Sequence, residues 1–205
     1  MREFEAILFD FDGVLVDSEP VHYHCWIEVL SRYGLTLSWE SYARNCIGVA
    51  DRAMIRMLCD LNGRLDLFDA IWDEYPRKKS IFRERIVESV PMPLATKELL
   101  PRLAQEFKLA VVSSSGRLEI VPALEAVGVA ACFSGIVTGE DVKMLKPAPE
   151  PYLKAAELLG VTRALVIEDS EAGIASGRAA GLEVLTLTHA GQLAAKLRAR
   201  LEGGL

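Results

Sequence analysis

Five short apolar segments that do not alternate with polar residues constrain the fold of this chain more than any other feature. Such runs, rich in Val, Ile and Leu, are typical of parallel strands covered on both faces. Helical patterns lie between the later ones, and three of these end at a glycine, the usual signal of a helix C-terminus. The alternation from residue 94 onward predicts a doubly wound parallel α/β sheet. The predicted strands cover residues 6–11, 108–114, 135–138, 164–169 and 183–187.

The segment between the first and second strands departs from this alternation. Residues 18–90 contain no convincing strand, and they predict an inserted α-helical cap on an α/β core formed by residues 1–17 and 91–205. A cleft between two domains is a common ligand site, and two linkers would permit closure. The predicted cap helices cover residues 20–34, 39–46, 51–63 and 68–89.

Composition narrows the class of protein. The 205 residues carry a formal net charge of −6 and form no basic stripe, so we expect no nucleic-acid partner. No apolar run approaches the ~20 residues of a membrane span, and the N-terminus lacks the pattern of a signal peptide. The four cysteines have no CxxC spacing, so neither a zinc site nor a disulfide framework is expected. We expect a cytoplasmic monomer without a membrane partner.

Two carboxylates lie at the carboxyl end of the first predicted strand. Asp10 and Asp12 are one residue apart, directly after an apolar run, and Gly13 comes next. Two charges this close repel by about 1 kcal/mol in water and about 4 kcal/mol at a partly buried site. A compensating charge is therefore expected nearby. Gly13 would let the backbone turn sharply away, because it has no Cβ.

Other polar residues lie at the ends of the later strands. Ser113–Ser115 follow the second strand, Lys146 precedes a helix, and Glu168 and Asp169 end the fourth strand. Alone, each has a plainer interpretation: a loop or helix cap for the serines, an exposed loop lysine, and a capping box around Ser170. Together they lie at the edge where open α/β sheets bind ligands, and the carboxylates suit Mg²⁺.

This set of residues suits a phosphate monoester substrate. If Asp10 attacks the phosphorus, a metal ion and Lys146 would offset the negative charge of the nucleophile and the phosphate. Neighbouring carboxylates would raise the pKa of Asp12, so that it could act as a general acid.

Four sequence motifs carry a family resemblance. "DFDGVLVDSE", "VVSSS", "KPAPEPY" and "VIEDSEAGIASGRAAG" resemble, in order and spacing, motifs I to IV of the haloacid dehalogenase-like superfamily, across residues 5–187. The helical insertion after the first motif resembles the cap of the β-phosphoglucomutase-like branch. The resemblance implies a Rossmann-like core, magnesium dependence and an aspartyl-phosphate intermediate.

The resemblance also implies a role for each motif residue. Asp10 would be the nucleophile, and Asp12 would protonate the leaving group and later deprotonate water. Ser113 and the backbone of Ser114 would hold the transferring phosphoryl group, whose charge Lys146 would offset.

The implied metal ligands are Asp10, the backbone carbonyl of Asp12 and Asp169, with Glu168 acting through water. The acidic side chain of Asp12 favours phosphate esters. Dehalogenases have no acidic residue at that position, and phosphonate-cleaving members have a small one.

The predicted cap contributes candidates for substrate binding. His22 and Lys78 resemble the histidine–lysine pair of β-phosphoglucomutases, although a helical histidine taken alone is more often a packed or surface residue. Arg52 lies one residue from the position of a phosphate-binding arginine in those enzymes.

We therefore predict a magnesium-dependent phosphatase acting on a small phosphorylated metabolite, a sugar phosphate. A β-phosphoglucomutase-type mutase is the first alternative, and a catalytically idle phosphate-binding regulator is the second. The presence of every catalytic residue argues against the second. Relative to the family, we expect a sheet one strand short and a "PMPLAT" turn without its usual glycine.

Overall fold

The computed structural model describes residues 3–202, which divide into two compact units. One unit runs to Ser18 and resumes at Val90, and the other comprises Glu19–Ser89. None of the helices in the described part of the chain has the length and apolar character that a membrane span requires.

The first unit contains a five-stranded sheet in which every neighbouring pair of strands is parallel. Its order is β3-β2-β1-β4-β5, so β1 lies at the centre. The predicted α/β class and all five predicted strands are confirmed. Each observed strand ends one or two residues earlier than predicted. The strands are β1 Ala6–Phe9, β2 Lys108–Val112, β3 Gly135–Val137, β4 Ala164–Glu168 and β5 Glu183–Thr186.

The second unit is helical, as predicted, but the single helix expected over 68–89 is two helices. The break falls at Glu74, and Pro76 lies in the first turn of the following helix. Proline is favoured in the first turn of a helix, because the N–H that it lacks would have no partner within the helix there. The helices are α1 Glu19–Ser31, α2 Trp39–Asn45, α3 Asp51–Leu61, α4 Phe68–Asp73 and α5 Tyr75–Glu88.

A core of its own supports the helical unit. Trp26, Ile55 and Ile71 are fully buried in it. The indole N–H of Trp26 donates to Asp51 Oδ1 at 3.0 Å, so the polar atom of this large buried ring is satisfied.

Five helices accompany the sheet in the described part of the first unit. The last of them was not predicted: residues 193–202 form a helix that packs beside the one at 94–103 and buries Leu193 and Leu197. The helices are α6 Leu94–Leu103, α7 Arg117–Ala126, α8 Glu150–Leu159, α9 Glu171–Ala179 and α10 Leu193–Glu202.

The two chain segments that join the units run side by side within the first unit. The N–H of Asp17 donates to the carbonyl oxygen of Pro91 at 3.0 Å. This bond ties the outgoing segment to the returning one.

Candidate active site

Asp10 lies immediately beyond the central strand of the sheet. Its backbone N–H donates to the carbonyl of Ile167 at 3.0 Å, which continues the pairing of β1 with β4 by one residue. The residue is buried, and its Oδ1 lies 2.7 Å from Lys146 Nζ. Pairing with β4 therefore fixes the backbone of Asp10, and Lys146 contacts its carboxylate.

Lys146 provides the compensating charge that the paired aspartates require. Its ammonium donates to Asp10 Oδ1 at 2.7 Å, Glu168 Oε1 at 2.6 Å and the carbonyl of Val112 at 2.9 Å. An ammonium has three N–H donors, so these contacts use all of them. Burial alone would lower the pKa of Lys146, but the two adjacent carboxylates outweigh burial and raise it.

One lysine does not neutralise the whole acidic cluster. Burial raises the pKa of Asp10 well above its usual range, with contributions from Glu168 and Asp12 that Lys146 opposes. Burial and the charge of Glu168 raise the pKa of Asp169 to about 6. The cluster therefore sets three carboxyl groups against a single ammonium.

The donor set fits a hard divalent cation. Asp10, Glu168 and Asp169 each offer a carboxylate oxygen, and these atoms lie within 4.8 Å of one another. Oxygen ligands and surplus negative charge are what Mg²⁺ selects.

Glu168 is held more firmly than the other carboxylates. It ends β4 and is fully buried. Its Oε1 accepts from Lys146 and, at 2.6 Å, from the hydroxyl of Tyr152. Its Oε2 accepts from the backbone N–H of Asp169 at 3.1 Å and from the N–H and hydroxyl of Ser170. Ser170 also caps α9, as its sequence context suggested.

Hydroxyl groups hold both oxygens of Asp12. Ser18 Oγ donates to Asp12 Oδ1, and Ser115 Oγ donates to Oδ2 at 2.6 Å. The predicted serines are placed differently: Ser113 is buried and its Oγ accepts from the N–H of Ser115 at 3.0 Å, whereas Ser114 is exposed. Sequence reasoning assigned no role to Ser18, Ser115 or Tyr152. Their only sequence signal was a hydroxyl within or beside a recognised motif.

Gly13 lies where the chain turns away from the carboxylates. Its φ is +78°, and its N–H donates to the carbonyl of Val16 at 2.8 Å. A Cβ at this position would lie 2.0 Å from Asp169 Oδ2. Glycine is therefore required both by the backbone conformation and by the closeness of Asp169.

The structure brings two of the predicted substrate-binding residues together within the helical unit. Lys78 Nζ lies 2.9 Å from His22 Nδ1, and the His22 ring stacks on Phe82 with centroids 4.1 Å apart. Lys78 is buried, 3.5 Å from Asp51 Oδ2 and 5.3 Å from the centre of the Trp26 ring. The pair thus has packing contacts as well as polar ones.

Arg52 has a different setting in the same unit. It is exposed, and its guanidinium carbon lies 5.7 Å from the ring centre of Phe68 and 5.5 Å from that of Trp72. These are cation–π distances, so Arg52 contributes to packing of the helical unit.

The candidate site is a buried Asp–Lys–Glu cluster at the carboxyl edge of a parallel sheet, where open α/β folds bind their ligands. The family model described as "Haloacid dehalogenase-like hydrolase" matches residues 7–187. The "Phosphorylated carbohydrates phosphatase" of Thermotoga maritima is 31% identical over 185 residues, covering 87% of this chain and 82% of that protein. The fructose-1-phosphate phosphatase YqaB of Escherichia coli is 31% identical over 189 residues, covering 90% and 96%.

Among solved structures, the β-phosphoglucomutase of Clostridium difficile superposes with a TM-score of 0.73 at 20% identity, covering 98% of each chain. The chain belongs to the haloacid dehalogenase-like hydrolase family, as its four motifs predicted. It shares the fold of the β-phosphoglucomutase-like branch, and its enzyme class is that of the phosphoric monoester hydrolases.

Proposed function

We propose that this protein hydrolyses a small phosphorylated metabolite, a sugar phosphate, with Mg²⁺ as cofactor and Asp10 as nucleophile. The observation that carries the proposal is the buried Lys146 ammonium bound to both Asp10 and Glu168, beside Asp169. The substrate class is supported by the names of two relatives, one a phosphatase of phosphorylated carbohydrates and one of fructose 1-phosphate.

In this proposal Asp10 attacks the phosphorus and forms an aspartyl-phosphate, which splits one difficult displacement into two easier ones. The attack requires the ionised carboxylate. Burial opposes that form, and Lys146 favours it, at 2.7 Å from Oδ1. Lys146 thus keeps the nucleophile charged and fixes its orientation.

Asp12 acts as the acid and base of the two half-reactions. It protonates the leaving oxygen in the first and removes a proton from water in the second. The contacts from Ser18 and Ser115 support this role by holding the carboxyl group in one orientation. A serine hydroxyl can also accept, so both contacts can persist when Asp12 is protonated.

We assign the transferring phosphoryl group to Ser113 and the backbone of Ser114. We assign the metal ion to Asp10, the backbone carbonyl of Asp12, and Asp169, with Glu168 nearby. When bound, Mg²⁺ would stabilise the negative charge of the phosphoryl group.

Residues 18–90 serve in this proposal as a cap that selects the substrate, on a core of residues 1–17 and 91–205. His22, Lys78 and Arg52 are its candidate substrate contacts. We further propose that the enzyme acts in the cytoplasm as a monomer, without a nucleic-acid or membrane partner.

The test is phosphate release from p-nitrophenyl phosphate and a panel of sugar phosphates in the presence of Mg²⁺. Asp10→Asn keeps the shape of the side chain but removes its charge and nucleophilicity, so turnover should be lost while the circular dichroism spectrum is unchanged. Substantial activity in the folded variant would refute the aspartyl-phosphate mechanism. Absence of turnover in the wild type on every substrate would favour an idle phosphate-binding regulator.

A mutase is the second candidate, favoured by the fold shared with β-phosphoglucomutase and by the contact between His22 and Lys78. A mutase must protect the phosphorylated aspartate from water until a second sugar hydroxyl arrives. The enzyme is incubated with Mg²⁺ and β-glucose 1-phosphate, primed with glucose 1,6-bisphosphate. Glucose 6-phosphate formed with little free phosphate would establish the mutase; phosphate release without isomerised product would establish the phosphatase.

A further inference from the structure

Tyr152 contacts the acidic cluster but belongs to none of the roles described above. It is fully buried in α8, six residues beyond Lys146, and its hydroxyl donates to Glu168 Oε1 at 2.6 Å. Lys146 Nζ donates to the same oxygen at 2.6 Å and lies 5.1 Å from the centre of the Tyr152 ring. Tyr152 therefore contacts both members of the Lys146–Glu168 ion pair.

The hydrogen bonds of Glu168 leave its carboxylate no room for another ligand. A carboxylate offers about four lone-pair sites. Glu168 accepts from five donors: two on Oε1, from Lys146 and Tyr152, and three on Oε2, from Asp169 and Ser170. Protein donors thus fill its acceptor capacity.

A glycine of α9 lies against the Glu168 carboxylate. A Cβ at Gly173 would lie 1.8 Å from Glu168 Oε1 and 2.0 Å from its Cδ. The backbone of α9 therefore approaches the carboxylate as closely as a residue without a side chain permits. Glu168 is held between Tyr152, Lys146 and this helix.

We propose that Tyr152 is a positioning residue that fixes Glu168 as the anchor of Lys146, and that Glu168 does not coordinate the metal ion. Tyr152 orients Glu168, Glu168 orients the Lys146 ammonium, and Lys146 orients Asp10. The expected effect of Tyr152 on turnover rests on the proposed function. In this assignment the metal ligands are Asp10, Asp12 and Asp169.

Tyr152→Phe is the decisive variant, because it removes one hydroxyl and leaves every charge and the ring in place. Two properties are measured: the Kd of Mn²⁺ in the substrate-free protein, by titration, and kcat and KM for p-nitrophenyl phosphate with Mg²⁺. We expect kcat to fall about fivefold to tenfold, the effect of one lost hydrogen bond, with KM and the Mn²⁺ Kd unchanged. A purely structural role would lower the melting temperature without changing kcat of the folded enzyme.

Two control variants are measured in the same assays. Tyr33→Phe also deletes a tyrosine hydroxyl bond, to the carbonyl of Ala70 at 3.0 Å in the helical unit, and should leave kcat unchanged. Asp169→Asn should weaken Mn²⁺ binding at least about tenfold and so shows that the titration reports this site.

Either of two results would overturn the proposal. If Glu168 coordinates the metal ion, freeing its Oε1 in Tyr152→Phe alters the Mn²⁺ Kd severalfold. If Tyr152 has no positioning role, kcat stays at the wild-type value. The Mn²⁺ titration needs no turnover, so a wild-type protein inactive on every phosphate ester would refute the proposed function while leaving this test intact.

Discussion

Gly13 offers a way to separate a backbone effect from an active-site effect with a single methyl group. Its φ is +78°, and an added Cβ would lie 2.0 Å from Asp169 Oδ2 and 2.7 Å from Asp169 Cγ. Gly128, in the same unit, has a φ of +77° and no heavy atom within 4 Å of the same added Cβ. Gly13→Ala and Gly128→Ala therefore share one backbone cost and differ in the contact with Asp169.

The backbone cost is modest and should be equal in the two variants. An L-residue in the left-handed region costs about 1–2 kcal/mol. Because about 1 kcal/mol shifts the melting temperature by about 2–4 °C at this size, we expect both variants to melt about 2–8 °C below the wild type.

The functional cost should be confined to Gly13→Ala. Its methyl group must push the Asp169 carboxylate by more than about 1 Å to reach van der Waals separation. Misplacing a catalytic group by about 1 Å can cost on the order of 100-fold, so we expect kcat/KM to fall by that factor. Gly128→Ala should keep the wild-type value.

The assay combines thermal unfolding by circular dichroism with Mg²⁺-dependent phosphate release. Similar melting temperatures and very different activities in the two variants would support the reasoning. Equal activities would refute it, because the position of Asp169 relative to Gly13 would then have no bearing on turnover.

Three further predictions follow from the structure. EDTA should abolish turnover, and added Mg²⁺ should restore it. Ca²⁺ should restore little activity, because its larger and looser coordination shell misplaces the phosphoryl group. Full activity with Ca²⁺ would contradict the proposed metal site. Ser115→Ala removes the hydroxyl 2.6 Å from Asp12 Oδ2 and should lower kcat about tenfold, whereas Ser31→Ala, which deletes a hydroxyl bond in the helical unit, should not. Leu197→Ala should destabilise the fold by about 2–5 kcal/mol in thermal unfolding if α10 belongs to the core.

The sheet could be predicted because its signal is local. Each strand of a parallel sheet covered on both faces must be apolar at consecutive positions, as in residues 6–9 and 164–167. This pattern is visible without knowledge of the neighbouring strands. Carboxyl ends of parallel strands meet at one edge, so the closeness of Asp10 and Glu168 also followed from the strand assignments.

Two helical features were missed because their signals are weak. The break at Glu74 depends on Pro76, which local patterns allow both at a helix start and at a kink. Residues 193–202 combine leucines with closely spaced basic residues, and they lie beyond residue 187, where the family resemblance ends. Burial of Leu197 depends on the packing of α10 beside α6, which a local pattern does not contain.

The finer contacts of the site could not be predicted, because they depend on how the loops return. Ser18 reaches Asp12 only because the turn at Gly13 brings the chain back to it six residues later. Tyr152 reaches Glu168 only because α8 packs on the sheet at one particular rotation. Such contacts involve residue types that occur throughout the chain, so type and spacing alone do not distinguish them.

The charge balance of the acidic cluster determines how it could bind the proposed metal ion and substrate. Lys146 faces three carboxylates, those of Asp10, Glu168 and Asp169. Its contacts with Asp10, Glu168 and the carbonyl of Val112 leave it no free N–H. Burial is the main cause of the raised pKa values of Asp10 and Asp169, and the neighbouring carboxylates, which are in excess over the one ammonium, add to it. A phosphate dianion would increase that excess, so the cluster can accept its proposed substrate only together with a further cation. The same excess that disfavours ionised Asp10 in the free protein therefore favours binding of the metal ion that would make Asp10 an effective nucleophile.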